Sequence, residues 1–190
     1  MHKVRTTHHI KRLPWIGGFM HNKGVVTAFM LLMAGSQVQA QESAMTLRLG
    51  QEFKHSGFDS QTVDIRWQQS VWQWGDSPCG LALGLRAGAM EVESDRAIRV
   101  GGGGSAYCQW ENWRVWIPLD AIWLSKYRFS HNHDHLDYGG HIQFTSGLGV
   151  GYRFADRWLV GYQYEHMSNS NLYDANPGGE FHTLLVSYFF

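Results

Sequence analysis

The sequence predicts an all-β protein, an eight-stranded antiparallel transmembrane β-barrel. Segments of about ten residues alternate between apolar and polar side chains, which is the pattern of barrel strands in a bilayer. Glycine is frequent, with 22 residues, and 14% of the chain is aromatic. The chain also ends on an aromatic, strand-like segment, Val186-Ser187-Tyr188-Phe189-Phe190.

Residues 1–40 have the composition of a signal peptide. They contain five Lys and Arg residues and no Asp or Glu, and they close on an apolar run of about twelve residues followed by Val38-Gln39-Ala40. A run of this length is typical of a signal sequence and is too short for a transmembrane helix of about twenty residues. We therefore expect cleavage before Gln41, and Met20 would give a signal peptide of more usual length.

Residues 41–190 are then expected to form one outer-membrane barrel domain. The whole chain carries 16 basic and 16 acidic residues, so loss of five basic residues leaves a net charge of about −5 with His neutral. This charge excludes the basic surface of a nucleic-acid-binding protein.

Eight strands follow in order, separated by turn residues such as Gly, Asp, Asn and Pro. Short connections alternate with longer polar ones, with the short connection from Glu93 to Arg96 as the exception. This alternation predicts periplasmic turns on one side and external loops on the other. The predicted strands are 44–54, 61–74, 79–91, 97–109, 113–125, 140–154, 158–168 and 180–190.

The parity of the last three strands predicts which side chains face lipid. On strand 158–168 the even positions are mostly aromatic or apolar, whereas the odd positions include Gln163 and Glu165. A membrane barrel turns apolar residues to lipid and polar residues to the lumen, so Glu165 and Arg153 are expected inside a filled barrel. A soluble lipocalin-like barrel with an apolar lumen would reverse this assignment.

Three reactive residue types share one face at the end of the chain. His166 and Ser168 are two apart on one strand, and Glu180 begins the next strand. A serine hydroxyl needs a histidine base, and the histidine needs an acid to orient it, so this set predicts a Ser/His/acid esterase. Asn176, Asn169 and Gly178 lie in the connecting loop and are candidates for oxyanion and substrate binding, although parity points Asn169 inward.

These residues resemble those of the PagL-type lipid A 3-O-deacylases. The similarity lies in Leu148-Gly-Val-Gly-Tyr-Arg-Phe154, His166-Met-Ser-Asn169, and Asn176-Pro-Gly178 with Glu180, and it is strong over residues 140–190. The resemblance implies an outer-membrane serine esterase that hydrolyses the 3-O-acyl ester of lipid A and releases a 3-hydroxy fatty acid. It implies Ser168 as nucleophile, His166 as base and acid, and Glu180 as its orienting acid, with lipopolysaccharide of the outer leaflet as partner and no cofactor.

Two other functions remain compatible with the sequence. One is a non-catalytic barrel with a structural or adhesive role, and the other is a different lipid-active barrel, a phospholipase or an acyltransferase. The sequence does not fix the oligomeric state, and a homodimer is compatible with it.

Four further features are assigned structural roles. The histidine-rich segment 131–137 is expected to be a solvated external loop with no metal site, because alternating polar residues are common in such loops. The glycines 101–104 lack the Lys and Ser/Thr of a phosphate loop and predict a bulge, a bend or close inner packing.

Cys79 and Cys108 are expected opposite each other on a hairpin, where a disulfide is allowed but a one-residue register shift would prevent it. Eight tryptophans are expected in the interfacial belt and barrel wall, namely Trp67, Trp72, Trp74, Trp110, Trp113, Trp116, Trp123 and Trp158.

Overall fold

The computed structural model describes residues 42–53, 57–131 and 134–190. The predicted signal peptide, its cleavage point and the alternative start at Met20 lie outside these ranges. The described residues include no helix long and apolar enough to cross a membrane.

Eight of the ten strands in these ranges close into an antiparallel barrel, in the order β1-β10-β9-β8-β5-β4-β3-β2. The predicted fold class is therefore confirmed, and the ends of the barrel strands differ from the predicted ones by at most two residues. The strands are β1 (Ser43–Glu52), β2 (Ser60–Gln73), β3 (Cys79–Val92), β4 (Asp95–Trp110), β5 (Trp113–Leu124), β6 (Arg128–His131), β7 (Asp134–Asp137), β8 (Ile142–Phe154), β9 (Trp158–Ser168) and β10 (Gly179–Phe189).

The barrel has one end with long connections and one with short turns. The links from β1 to β2, β5 to β8 and β9 to β10 lie at what we call the loop end, together with the short turn from β3 to β4. The links from β2 to β3, β4 to β5 and β8 to β9 lie at the turn end, where β1 begins and β10 finishes.

The segment 126–139, predicted as a plain loop, instead contains the hairpin β6–β7. Phe129 and Leu136 are paired across this hairpin, and both are buried. They join Tyr138 and other buried residues in one apolar cluster, so burial of these side chains explains why the two short strands form. We call this set the apolar cap: Phe58, Met90, Val92, Ala97, Ile122, Leu124, Phe129, Leu136, Tyr138, Met167 and Phe181.

Side-chain parity along the strands agrees with a membrane barrel. Leu148, Val160 and Leu184 face outward and are 51–66% exposed, whereas Gln163 and Glu165 on β9 face inward and are 2% exposed. An apolar exterior around a polar interior suits lipid outside the wall. This arrangement contradicts the soluble lipocalin-like alternative, which requires an apolar lumen.

The centre of the lumen is filled by a network of charges. The carboxylate of Glu165 accepts hydrogen bonds from Arg48, Arg86 and Arg99 at 2.6, 3.0 and 3.1 Å. A buried carboxylate is stable only when such partners replace its water. The central charge network consists of Arg48, Asp64, Arg66, Arg86, Arg99, Asp120 and Glu165.

The predicted inward charge Arg153 belongs to a different group from Glu165. Its guanidinium lies at the turn end, where it pairs with Glu42 at 2.7 Å and covers the ring of Phe189 at 4.5 Å. Strand parity correctly predicted that the Arg153 side chain points inward. It could not predict the position of Arg153 along the barrel axis, which is at the turn end and away from the central charge network.

Trp116 is an exception to the expected tryptophan belt. Its indole points into the lumen, and Nε1 donates a hydrogen bond to Oε1 of Gln163 at 2.8 Å. The ring lies against Gly149, where an added Cβ would come within 2.0 Å of the indole. The glycine therefore makes room for an interior tryptophan, so the assignment of Trp116 to the interfacial belt is wrong.

Two further local predictions are resolved by the strand pairing. Gly103 pairs with Asp120 in regular register, and an added Cβ would meet the Leu119 carbonyl at 2.1 Å, so the glycine run serves close packing and not a bulge. Cys79 and Cys108 are direct partners of β3 and β4 and form a disulfide at the turn end.

Candidate active site

Strand pairing brings the predicted histidine and acid together. His166 of β9 is the direct antiparallel partner of Glu180 of β10, and both side chains point out of the barrel. Their neighbours Met167 and Phe181 point inward and are fully buried in the apolar cap. Burial of these two apolar residues fixes the parity of both strands and so holds the polar pair on the outer surface.

The two side chains are joined by a hydrogen bond. His166 Nδ1 lies 2.8 Å from Oε1 of Glu180, with the side chains 43% and 26% exposed. Because an ionised carboxylate can only accept, Nδ1 carries the hydrogen and the neutral imidazole keeps its lone pair on Nε2. The acid thus sets the tautomer that a general base requires.

Ser168 is the last residue of β9 and lies two residues beyond His166. It is half-buried and pairs with Phe144 of β8. Residues two apart on a strand share a face and are separated by about 6.6 Å along it. The serine therefore lies on the same outer face as the histidine, on the side toward the loop end.

The loop 169–178 contains the three predicted binding residues. The backbone N–H of Asn169 donates to Oδ1 of Asn176 at 3.0 Å, which brings the Asn176 carboxamide beside the residue that follows Ser168. Nδ2 of Asn176 donates to Oδ1 of Asn171 at 3.1 Å and retains a second hydrogen.

The Asn169 side chain is fully buried and faces inward, as parity predicted. Its Nδ2 donates to the carbonyl oxygens of Tyr138 and Ala175 at 2.9 and 2.6 Å, which uses both amide hydrogens. This side chain therefore ties the loop to the segment after β7, and its predicted role in binding the oxyanion or the substrate stays a prediction.

Gly178 adopts a positive φ of 72° immediately before β10. A Cβ added at this position would lie 3.5 Å from Cε1 of His166, in ordinary contact with the imidazole. Glycine is the residue that adopts this backbone conformation without strain, and it keeps the backbone close to the histidine ring.

Two tyrosines that were not among the predicted site residues lie on the same outer face of β9, and one of them contacts the candidate acid. The hydroxyl of Tyr164 donates to Oε2 of Glu180, and the hydroxyl of Tyr162 is hydrogen-bonded to Nδ1 of His182. Parity places both tyrosines on the face of His166, but an outward tyrosine on a membrane strand is ordinarily read as a belt residue.

The histidine-rich hairpin β6–β7 is held by internal contacts. Nε of Arg128 donates to Asp137 at 2.7 Å, and Ser130 Oγ is hydrogen-bonded to His135 Nδ1 at 2.9 Å. Within the residues whose side chains are described, no group of three or more His, Cys, Asp or Glu is arranged to hold a metal ion. The side chains of residues 131–133 lie outside that set.

Comparison with known proteins gives a family match and a shared fold. A model of the lipid A 3-O-deacylase (PagL) family matches residues 61–189. The crystal structure of the outer membrane enzyme PagL superposes with a TM-score of 0.56 at 18% identity, covering 76% of this chain and 98% of that one. The N-terminal β-barrel domain of Pseudomonas aeruginosa OprF gives a TM-score of 0.50 at 12% identity, covering 78% of this chain and 97% of that one. No curated protein sequence matches the chain.

The structural matches show the fold alone, because their identities are low. The family match spans most of the barrel, from β2 to the end of β10, and includes the loop that joins β9 to β10. The chain is therefore a member of the lipid A 3-O-deacylase (PagL) family, whose proteins reside in the bacterial outer membrane.

Proposed function

We propose that this protein is a serine esterase of the outer membrane that hydrolyses the 3-O-acyl ester of lipid A and releases a 3-hydroxy fatty acid. The observation that carries the proposal is the hydrogen bond from His166 Nδ1 to Glu180 on the outer wall, on the same face as Ser168. Family membership supports the choice of lipid A as substrate.

The proposed chemistry begins at Ser168. Nε2 of His166 removes the hydroxyl proton as Oγ attacks the ester carbonyl, and Glu180 stabilises the imidazolium that forms. The imidazolium then protonates the departing sugar oxygen, which leaves an acyl-serine. Water activated by the same imidazole hydrolyses the acyl-serine and releases the fatty acid.

The loop 169–178 is the proposed source of oxyanion donors. Asn176 has one amide hydrogen left after bonding Asn171, and its carbonyl oxygen is tethered to the N–H of Asn169. Gly178 leaves the space beside the imidazole open. Donors held in place before the reaction stabilise the developing oxyanion more than mobile water does.

The depth of the site supports a lipid substrate in the outer leaflet. The candidate residues lie at the loop end, which corresponds to the external side of outer-membrane barrels, just above outward residues such as Val160 and Leu184. A lipid ester near the headgroup region can therefore meet Ser168 from the side of the barrel without leaving the bilayer. The joint presence of His166, Ser168 and Glu180 on one face of adjacent strands favours an enzyme over a non-catalytic barrel, because together they are the residue types of a Ser/His/acid hydrolase.

Mass spectrometry of lipid A tests the proposal directly. The protein is expressed in a bacterial host with intact lipopolysaccharide, and the lipid A is then extracted. We expect loss of one 3-hydroxyacyl chain with the wild-type protein and an unmodified profile with Ser168→Ala. Unmodified lipid A in cells that contain the folded wild-type barrel would contradict the proposal, and release of fatty acids from phospholipids would instead favour a phospholipase.

Ser130→Ala provides a matched control. Ser130 is also hydrogen-bonded to a histidine, His135, but it lies in the β6–β7 hairpin and has no acid partner comparable to Glu180 in the described contacts of that histidine. We expect this variant to modify lipid A as the wild type does.

A further inference from the structure

The acid of the proposed triad has a second hydrogen-bond donor. Tyr164 lies two residues before His166 on β9 and on the same outer face. Its hydroxyl donates to Oε2 of Glu180, while His166 Nδ1 donates to Oε1. Each carboxylate oxygen therefore has its own donor, one from the base and one from the tyrosine.

A carboxylate in this location needs such support. Glutamate has three rotatable side-chain bonds, and the Glu180 side chain is partly exposed on a wall that faces lipid. A carboxylate held only by His166 could rotate about its own axis and carry the imidazole with it. A donor on the second oxygen fixes the carboxylate plane, and the position of the imidazole then follows from it.

The Tyr164 ring is itself held by its strand neighbour. Tyr164 pairs in register with His182 of β10, and the two rings meet edge to face with centroids 6.0 Å apart. This contact leaves the hydroxyl directed along the wall toward Glu180. The ring contact does not involve the hydroxyl, so a phenylalanine at this position retains it.

We propose that Tyr164 is a positioning residue, whose hydroxyl fixes the Glu180 carboxylate that in turn orients His166. The inference rests on the proposed function, because it assigns a role in that reaction. It also predicts how the effect divides between kinetic constants. A hydroxyl that acts through Glu180 changes kcat, whereas one that binds the substrate directly changes KM.

The test uses the full barrel, purified in detergent micelles that contain lipopolysaccharide, with release of 3-hydroxy fatty acid as the signal. We expect Tyr164→Phe to lower kcat about tenfold and to leave KM within about twofold, since one hydrogen bond to a charged group is lost. Tyr162→Phe is the matched control, because its hydroxyl is on the same strand and face but contacts His182. We expect that control to stay within about twofold of the wild type.

A double-mutant cycle separates positioning from other roles. In a Glu180→Ala background both carboxylate oxygens are already absent, so Tyr164→Phe should cause no further loss of the residual activity. The same tenfold loss in both backgrounds would overturn the inference, because Tyr164 would then act without Glu180. Equal kcat values for Tyr164→Phe and Tyr162→Phe would overturn it as well.

The result also distinguishes this inference from the proposed function. A wild-type barrel that folds but releases no fatty acid contradicts the proposed function and the inference with it. An active wild type in which Tyr164→Phe retains full kcat contradicts the inference alone. Thermal unfolding followed by circular dichroism checks that both phenylalanine variants remain folded, as expected for rings that keep their lipid and strand contacts.

Discussion

Side chains alternate between inward and outward in the same way at the loop end and in the middle of the barrel. Polar residues face inward in the middle, however, and outward at the loop end. In the middle of β9, Glu165 points inward to three arginines while Val160 and Tyr162 face lipid. One step toward the loop end, His166 points outward and Met167 points into the apolar cap. The strand continues without a bulge in its pairing with β10, so the polarity changes while the backbone direction does not.

This reversal shows how a membrane strand can carry a reactive site. Alternation determines which face of the barrel a residue occupies. Depth in the membrane determines whether a polar or an apolar side chain is stable on that face. Apolar residues inside the barrel are acceptable at the loop end because the β6–β7 hairpin covers them. Polar residues outside are acceptable there because the strands are leaving the hydrocarbon.

The largest effect is expected from loss of an outward polar residue at the loop end. His166→Ala removes the proposed base and should lower kcat/KM by about 10⁴-fold or more, as loss of a triad base does in other hydrolases. Because His166 is outward and partly exposed, the free energy of unfolding should change by less than about 1 kcal/mol. Fatty-acid release and chemical unfolding of the same preparation measure both quantities. A large loss of stability would show that His166 is part of the packing.

The neighbouring residue should behave in the opposite way. Glu165→Gln removes the charge that three buried arginines share, so the barrel should lose about 3–5 kcal/mol of stability. The activity of the molecules that still fold should remain close to that of the wild type, because Glu165 points away from the site.

Glu91→Gln is a matched control for this variant. Glu91 also pairs with an arginine, Arg96, but these side chains are 44% and 78% exposed, and surface pairs contribute less than about 1 kcal/mol. Equal destabilisation by the two variants would contradict the role assigned to the central charge network.

The apolar cap offers a third test. Met167→Ala leaves a cavity beneath the site and should cost about 2–5 kcal/mol, because the Met167 side chain is fully buried. Since Met167 lies between His166 and Ser168, we also expect activity to fall at temperatures where β9 is still paired. Hydrogen exchange of the β9 and β10 amides checks the strand pairing. Full activity at reduced stability would show that the cap supports the barrel without supporting the site.

The smallest effect on activity among these variants is expected at the turn end. Replacing Cys79 and Cys108 together with serine removes the β3–β4 disulfide and should cost about 2–4 kcal/mol. Fatty-acid release should be unchanged, because the disulfide and the candidate site lie at opposite ends of the barrel. Reduction of the wild-type protein should reproduce the same shift in an unfolding curve, and a loss of activity would contradict the separation of the two ends.

The sequence predicted the strands well where alternation was long and regular. β9 has its predicted limits because eleven residues keep strict parity between two clear turns. The β6–β7 hairpin was missed because four-residue strands are too short to show a period, and their order comes from burial of Phe129 and Leu136 against distant strands. Trp116 was misplaced because residue type suggested a belt position, while the space for it depends on Gly149 of another strand.

The candidate site also combines features that could be predicted from the sequence with features that could not. His166, Ser168 and Glu180 were predictable, since their residue types and strand parity are local properties of the sequence. The inward direction of Asn169 followed from parity as well, but its bonds to Tyr138 and Ala175 depend on tertiary contacts. Tyr164 could have been found only by knowing that β9 and β10 pair with Glu180 opposite His166, because that register brings the hydroxyl to the acid.

The filled lumen has a consequence for the cell that carries this protein. Within the described residues, arginine and carboxylate side chains occupy the centre of the barrel and the apolar cap covers its loop end. Water-filled porins of this membrane admit nutrients and antibiotics because their lumen is open. A bacterium can therefore hold many copies of this barrel without opening a water-filled channel through the centre that the described charged side chains occupy.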